Sequence, residues 1–146
     1  MKACLTVIPA RLGSTRLPRK VLARLSGRTL VEWCWRAAVA ADLGPVLVAV
    51  DAREVADEVR RFGGTAVMTP RAIPSGSDRV WLAARGRREP IILNYQGDMP
   101  LLSPSTLRAT VKALSRGVEI ATAVIPLVSE LRAGDPNVVK AVLAGN

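Results

Sequence analysis

Histidine is absent from the 146 residues. Serine–histidine–aspartate triads, histidine-ligated zinc and imidazole acid–base catalysis are therefore excluded within this chain. Cysteine is scarce: Cys4 and Cys34 are too few for a disulfide framework or a four-thiolate metal site. Each lies in an apolar context and reads as a small buried core residue, which fits a reducing, cytoplasmic compartment. Aromatic residues make up 3% of the chain, so platforms for stacking bases are few, and no recognised nucleic-acid motif appears. No apolar run reaches the roughly 18 residues that a membrane span requires. The run that follows Met1-Lys2-Ala3 stops at Pro9 and lacks a small-residue cleavage site, so no signal peptide is expected. Acidic residues are outnumbered, 12 against 21 Lys and Arg, for a formal charge of +9. That excess suits an anionic partner such as a nucleic acid, a nucleotide or a phosphosugar.

What is present is enough apolar material to close a core, 49% of the residues, in about one domain's length. Ala3–Ile8, Val46–Val50 and Ile91–Tyr95 read as buried strands, being short, apolar and largely β-branched. Ala66–Met68 reads as a shorter strand, Glu119–Ile125 as a fifth and Asn137–Leu143 as a candidate sixth. Between them lie helix signals. Thr29 with Glu32 three residues on forms a capping box that opens a helix running to about Ala41. Asp51-Ala52-Arg53-Glu54 caps a second, closed by Gly63-Gly64. Asp78–Arg85 is a third. Ser103 before Pro104 opens a fourth, to about Ser115. Strands alternating with helices, each strand a continuous apolar run, predict a mostly parallel sheet covered on both faces.

In such sheets ligands bind at the carboxyl ends of the strands, so the loops leaving strands carry the interest. The first, Pro9–Lys20, gathers Arg11, Arg16, Arg19 and Lys20 with no acid. Gly13 permits close backbone approach, and Ser14 and Thr15 supply hydroxyls. Arginine suits bidentate contact with phosphate oxygens and lysine acts as a point charge. The glycine spacing matches neither a P-loop nor a dinucleotide fingerprint. A solvated basic loop would look similar; the position after the first strand favours an anion site. Pro74–Arg79 reads either as helix capping by Ser75 or Ser77 or as a wall for a base or ribose, with Arg79 facing an acid. Gln96-Gly97-Asp98-Met99-Pro100 reads either as an Asp-stabilised turn or as a carboxylate at the sheet edge, the oxygen donor that Mg²⁺ prefers beside substrate phosphates. Arg60, Arg61, Arg85, Arg87 and Arg88 read as solvated helix ends, and Trp33, Trp35 and Trp81 as packing residues.

Together these segments resemble the 3-deoxy-manno-octulosonate (Kdo) cytidylyltransferases. The family's P-A-R-x-x-S-x-R-L-P-x-K is met by Pro9 through Lys20, its S-G-T-D-R by Ser75-Gly76-Ser77-Asp78-Arg79, and its Q-G-D-E-P by Gln96 through Pro100. Its D-P-N-x-V-K is met by Asp135 through Lys140. The resemblance implies a Rossmann-like, GT-A-like α/β nucleotidyltransferase fold, with residues 1–146 forming a C-terminally incomplete nucleotidyltransferase domain that holds the CTP-binding half. It implies transfer of CMP from CTP to Kdo, releasing pyrophosphate, for lipopolysaccharide assembly. Pro9, Ala10, Arg11, Gly13, Ser14, Arg16, Lys20, Ser75, Gly76 and Ser77 would bind the nucleotide. Arg79 and Gln96 would face the sugar acid, Asp98 would hold Mg²⁺, and Lys20, Arg16 and Asp98 would carry catalysis. A homodimer is implied, with an interface that this chain supplies only in part. Departures are Ile73 in place of histidine, Ser77 in place of threonine, Met99 in place of glutamate, and Ala52-Arg53 where an acidic run follows Asp51.

Three other readings compete. A related sugar-acid enzyme of the acylneuraminate type shares the chemistry, though Ser14-Thr15-Arg16-Leu17-Pro18 favours the Kdo type. A nucleotide-binding domain without turnover would follow from the incomplete length. A basic nucleic-acid module would follow from the +9 charge, against the scarcity of aromatics. The expected partners are therefore CTP and a sugar acid, without nucleic acid or membrane.

Overall fold

Seven successive buried residues, Cys4–Ala10, form β1, the centre of the sheet. The computed structural model describes residues 4–13, 17–114, 118–127, 134–136 and 138–141. After β1, a single 3-10 turn at Lys20–Leu22 leads to a small hairpin, β2 (Arg24–Leu25) and β3 (Arg28–Thr29). Then follow α1 (Leu30–Ala41), β4 (Val46–Val50), α2 (Arg53–Arg61), β5 (Thr65–Met68), α3 (Gly76–Ala84), β6 (Ile91–Asn94) and α4 (Pro104–Ala113). The main sheet has the order β5-β4-β1-β6, and every pairing in it is parallel. Thr6 is in register with Val46 on one side and with Leu93 on the other.

The two-residue periodicity of the strands separates two cores. Cys4, Ile8 and Ala10 of β1 join Val48 and Val50 of β4 under α1, α2 and α4. Leu5 and Val7 join Leu47 and Ala49 under Val80 and Ala83 of α3. Both faces are thus covered, as the apolar runs predict.

Helix starts follow the local chemistry at α1, α3 and α4, where Thr29, Ser75 and Ser103 are the caps. The Thr29 hydroxyl accepts from the Glu32 amide at 3.4 Å. The Ser103 hydroxyl accepts from the Thr106 amide at 3.2 Å, with Pro104 in the first turn. The expected Asp51 cap is corrected: α2 starts after Ala52 with no side-chain cap, because the Asp51 carboxylate bonds elsewhere. α3 begins at Gly76, two residues before the expected start. The hairpin has no counterpart among the expected elements. Its signal is Ser26-Gly27, whose φ values of 49° and 82° match the two-residue turn that a tight hairpin needs.

The expected fifth strand is also corrected. Residues 118–127 carry no strand, and Ile120 and Ile125 are 87% and 86% exposed. A strand exists through hydrogen bonds to a neighbour, and none of the described strands pairs with this segment. Of the candidate sixth, residues 138–141 carry no strand, and the rest lies outside the described residues.

Arg61 does more than solvate a helix end. The buried Glu32 carboxylate receives Arg61 at 2.8 Å, Arg36 at 2.9 Å and Arg28 at 3.5 Å. Arg61 also grips Glu58 at 2.7 Å, and this hydrogen bond, with help from Thr29, holds the Glu58 carboxyl below its ordinary range. Trp35 packs against Phe62, ring centroids 5.1 Å apart. Trp81, expected to pack, is 64% exposed, beneath the Arg85 guanidinium. No helix among the described residues is long and apolar enough to cross a membrane.

Candidate functional site

Parallel pairing brings the carboxyl ends of β1, β4 and β6 to one edge. A cleft of about 490 Å³ opens there. Pro9, Arg11, Gly13 and Lys20 line it from the first loop, Ser75, Gly76 and Arg79 from the start of α3, and Gln96, Gly97 and Asp98 from the turn after β6. A second hollow shares Arg11, Gly13 and Ile73 and adds Asp51 and Arg71. Ser14 and Arg16 lie outside the described residues.

Two glycines allow the three segments to meet. A Cβ on Gly97 would stand 2.8 Å from the Pro9 carbonyl oxygen and 3.3 Å from Ile8 Cγ2. A Cβ on Gly76 would stand 3.3 Å from Gln96 Oε1 and 3.7 Å from Pro9 Cγ. Beneath the turn, the buried Cys34 thiol donates to the Gln96 carbonyl at 3.6 Å, and the Tyr95 hydroxyl donates to the Met99 carbonyl at 2.9 Å. Burial pushes the Cys34 thiol up to about 11, so it serves as packing and support rather than as a nucleophile.

Across the cleft, Lys20 Nζ and Asp98 Oδ2 are 2.8 Å apart. The loop's basic cluster is divided. Arg11 is exposed and has no ion-pair partner among the described residues. Arg19 turns away and pairs with Glu54 of α2. Ala10, expected at the nucleotide, is wholly buried and belongs to the core. The Ser75 hydroxyl caps α3, accepting from the Asp78 amide at 3.0 Å. Ser77 accepts from Asn94 at 3.5 Å. Gln96 Nε2 donates to Asn94 Oδ1 at 2.8 Å. The first amides of α3 have no intrahelical acceptor, and Gly76 sets them at the cleft wall.

Arg79, expected to face a sugar acid, is 2% exposed. Its guanidinium donates to Thr69 Oγ1, to the Pro70 carbonyl at 3.3 Å and to Asp51 at 3.5 Å. Asp51 in turn accepts from the Leu12 amide at 2.8 Å. Sequence reasoning misses this pairing, because Asp51 has the spacing of a helix cap.

Chemically, the cleft offers cations, a helix start and one carboxylate. Asp98 is 44% exposed, and no three His, Cys, Asp or Glu residues gather as a metal cage among the described residues. A single accessible carboxylate fits a Mg²⁺ ion that keeps its waters and brings substrate phosphates; it does not fit a caged ion.

A cytidylyltransferase family model matches residues 5–146. A 3-deoxy-manno-octulosonate cytidylyltransferase from Elusimicrobium minutum is 44% identical over 139 residues, 94% of this chain and 57% of that protein. One from Paramagnetospirillum magneticum is 48% identical over 94% of this chain and 58% of that protein. The chain thus spans somewhat more than half the length of the curated relatives it matches. Among solved structures, a CMP:2-keto-3-deoxy-manno-octonic acid synthetase complexed with CTP superposes with a TM-score of 0.74 at 33% identity, covering 77% of this chain and 47% of that one. A Methanothermobacter nucleotidyl transferase gives 0.68 at 25% identity, covering 75% and 56%. With a parallel α/β sheet, a cationic cleft at its carboxyl edge and a family match over nearly its whole length, the chain belongs to the cytidylyltransferase family.

Proposed function

We propose that residues 1–146 form the nucleotide-binding portion of a cytoplasmic enzyme that transfers CMP from CTP to a 3-deoxy sugar acid, Kdo, and releases pyrophosphate. The observation that carries this reading is the meeting of three sequence motifs in one cleft, where Lys20 and Asp98 stand 2.8 Å apart. The relatives named as Kdo cytidylyltransferases and the neighbour complexed with CTP support it.

The sugar's anomeric hydroxyl attacks the α-phosphorus, and the bond to the β,γ-pyrophosphate breaks. Such a step rests on positioning and charge neutralisation. Arg11, Gly13, Ser14, Arg16 and Lys20 cradle the triphosphate and neutralise the departing pyrophosphate. The backbone of Pro9 and Ala10 and the α3 start at Ser75-Gly76-Ser77 border the nucleoside. Gln96 faces the sugar acid. Arg79, being buried, acts on the sugar side only through the loops it holds. Asp98 would hold Mg²⁺, which would supply positive charge against the phosphates and acidify a hydroxyl.

Calorimetric titration with CTP, ATP, UTP and GTP, with and without Mg²⁺, tests this on the chain as it stands. Selective, Mg²⁺-dependent CTP binding is expected. Lys20→Ala should weaken it at least tenfold, and Asp98→Asn should remove its Mg²⁺ dependence. Equal binding of all four nucleotides by folded protein would overturn the reading.

A further inference from the structure

The loop that carries Arg11 and Lys20 joins the end of β1 to the 3-10 turn at Lys20–Leu22. A segment of that kind needs something to hold its path. Near its start the Leu12 amide donates to Asp51 Oδ1 at 2.8 Å across 39 residues of sequence. Asp51 sits immediately after β4 and could have capped α2, whose first turn lacks a side-chain cap. Its carboxylate is directed to Leu12 instead, and its side chain is only 9% exposed.

The other oxygen faces Arg79 at 3.5 Å. That guanidinium is buried and bonded also to Thr69 and Pro70, and Thr69 is anchored to the Val50 carbonyl at 2.9 Å. Arg71 donates to the Asp51 carbonyl at 3.4 Å. Three loops, leaving β1, β4 and β5, are therefore tied at one carboxylate. A carboxylate suits this place because it accepts both an uncharged N–H and a cation. It also supplies the counter-charge that a buried guanidinium requires.

We propose that Asp51 is a positioning residue of the cleft: with Arg79 as its counter-ion, it fixes the start of the loop after β1 at Leu12 and so places Arg11 for the phosphates. This rests on the reading of the cleft as a nucleotide site. Asp51 touches no reacting atom in this account. Its effect falls on the phosphate end of a ligand and spares the nucleoside.

The test is calorimetry with CTP and with cytidine on wild type and Asp51→Asn, alongside amide exchange at Leu12. In Asp51→Asn the single amide oxygen is drawn to the Arg79 cation and leaves the Leu12 amide facing an NH2, so CTP should weaken at least tenfold, cytidine less than threefold, and Leu12 exchange should quicken at least tenfold. Equal losses for both ligands, or unchanged CTP binding, would overturn the proposal. Should Asn at 51 leave Arg79 without a counter-charge and unfold the chain, two variants with Arg79→Met decide. Asp51→Asn/Arg79→Met keeps an acceptor for Leu12, whereas Asp51→Ala/Arg79→Met does not. The first should bind CTP at least tenfold more tightly than the second, and equal binding would overturn the proposal. If wild type binds no CTP, the nucleotide reading fails; Leu12 exchange then judges the anchor alone, and protection unchanged in Asp51→Asn overturns it.

Discussion

Gly97→Ala probes how closely the turn after β6 must approach β1. The added Cβ would lie 2.8 Å from the Pro9 carbonyl oxygen, 3.3 Å from Ile8 Cγ2 and 3.6 Å from Ala10 Cβ. The nearest of these atoms is backbone of the central strand, whose neighbours on both sides are paired, so it cannot yield as a flexible side chain would. Forcing a methyl into such a site costs about 1–3 kcal/mol. For a chain of this size each kcal/mol lowers the melting temperature by roughly 2–4 °C, so a fall of about 2–12 °C is expected by calorimetry or circular dichroism. Gly13, where an added Cβ would meet nothing within 4 Å, serves as the comparison: its alanine variant should shift the midpoint by less than ~2 °C, as an unhindered surface change does. Gly97→Ala should also move Asp98 and loosen CTP binding by a larger factor than the stability loss alone would suggest. A midpoint within ~1 °C of wild type for Gly97→Ala would refute the reasoning.

Other predictions follow from the packing. Glu32→Gln removes the buried charge that faces Arg28, Arg36 and Arg61; since the arginines remain half exposed and can rehydrate, the loss should be about 1–3 kcal/mol, read by urea denaturation, and a change under ~0.5 kcal/mol would show the cluster to be surface ornament. Neither Cys4 nor Cys34 should react with a thiol reagent at neutral pH in the folded chain, both being buried, and both should react in denaturant. The Cys34 thiol, raised by burial from 9.0 to about 11, binds its proton more tightly folded than unfolded. Its contribution is therefore fully present below pH 9 and is lost as pH rises towards about 11, with stability falling across that window. The Tyr95 phenol, also raised by burial, adds to the same alkaline loss. Cys34→Ala should flatten the pH 9–11 limb, and an unchanged slope would contradict the assignment.

The features legible in the sequence are those with local causes. The apolar runs of Cys4–Ala10 and Val46–Val50 announce buried parallel strands because both their faces are covered. The motif loops can be ranked as site candidates because each leaves such a strand. What escapes are pairings whose partners lie far apart in the chain. Asp51 carries the spacing of a helix cap, yet its hydrogen bond runs to an amide 39 residues away. Arg79 belongs to a motif that suggests ligand contact, yet the fold draws its guanidinium inward to Asp51, 28 residues away. Arg61 looks like a solvated helix end, yet Glu32 lies within 2.8 Å across 29 residues. The opposite error occurs at Glu119–Ile125, where strand propensity is strong but no described strand pairs with it.

These misreadings share a cause that bears on the site itself. A charged residue in a short motif has two competing uses, one facing the ligand and one holding the loop that faces it, and local spacing does not separate them. Burial does. Arg11 and Arg79 are both arginines of motif loops, but Arg11 is exposed at the mouth of the cleft while Arg79 is 2% exposed and bonded to three loop positions. A buried guanidinium with its donors already engaged has little left to offer a substrate, whereas its removal would free every loop it ties. On the proposed reading the division of labour in this cleft follows depth: Arg11, Lys20 and Asp98, accessible at the rim, are the groups left to meet a ligand, and the buried Asp51 and Arg79 are those that would fix where the rim stands.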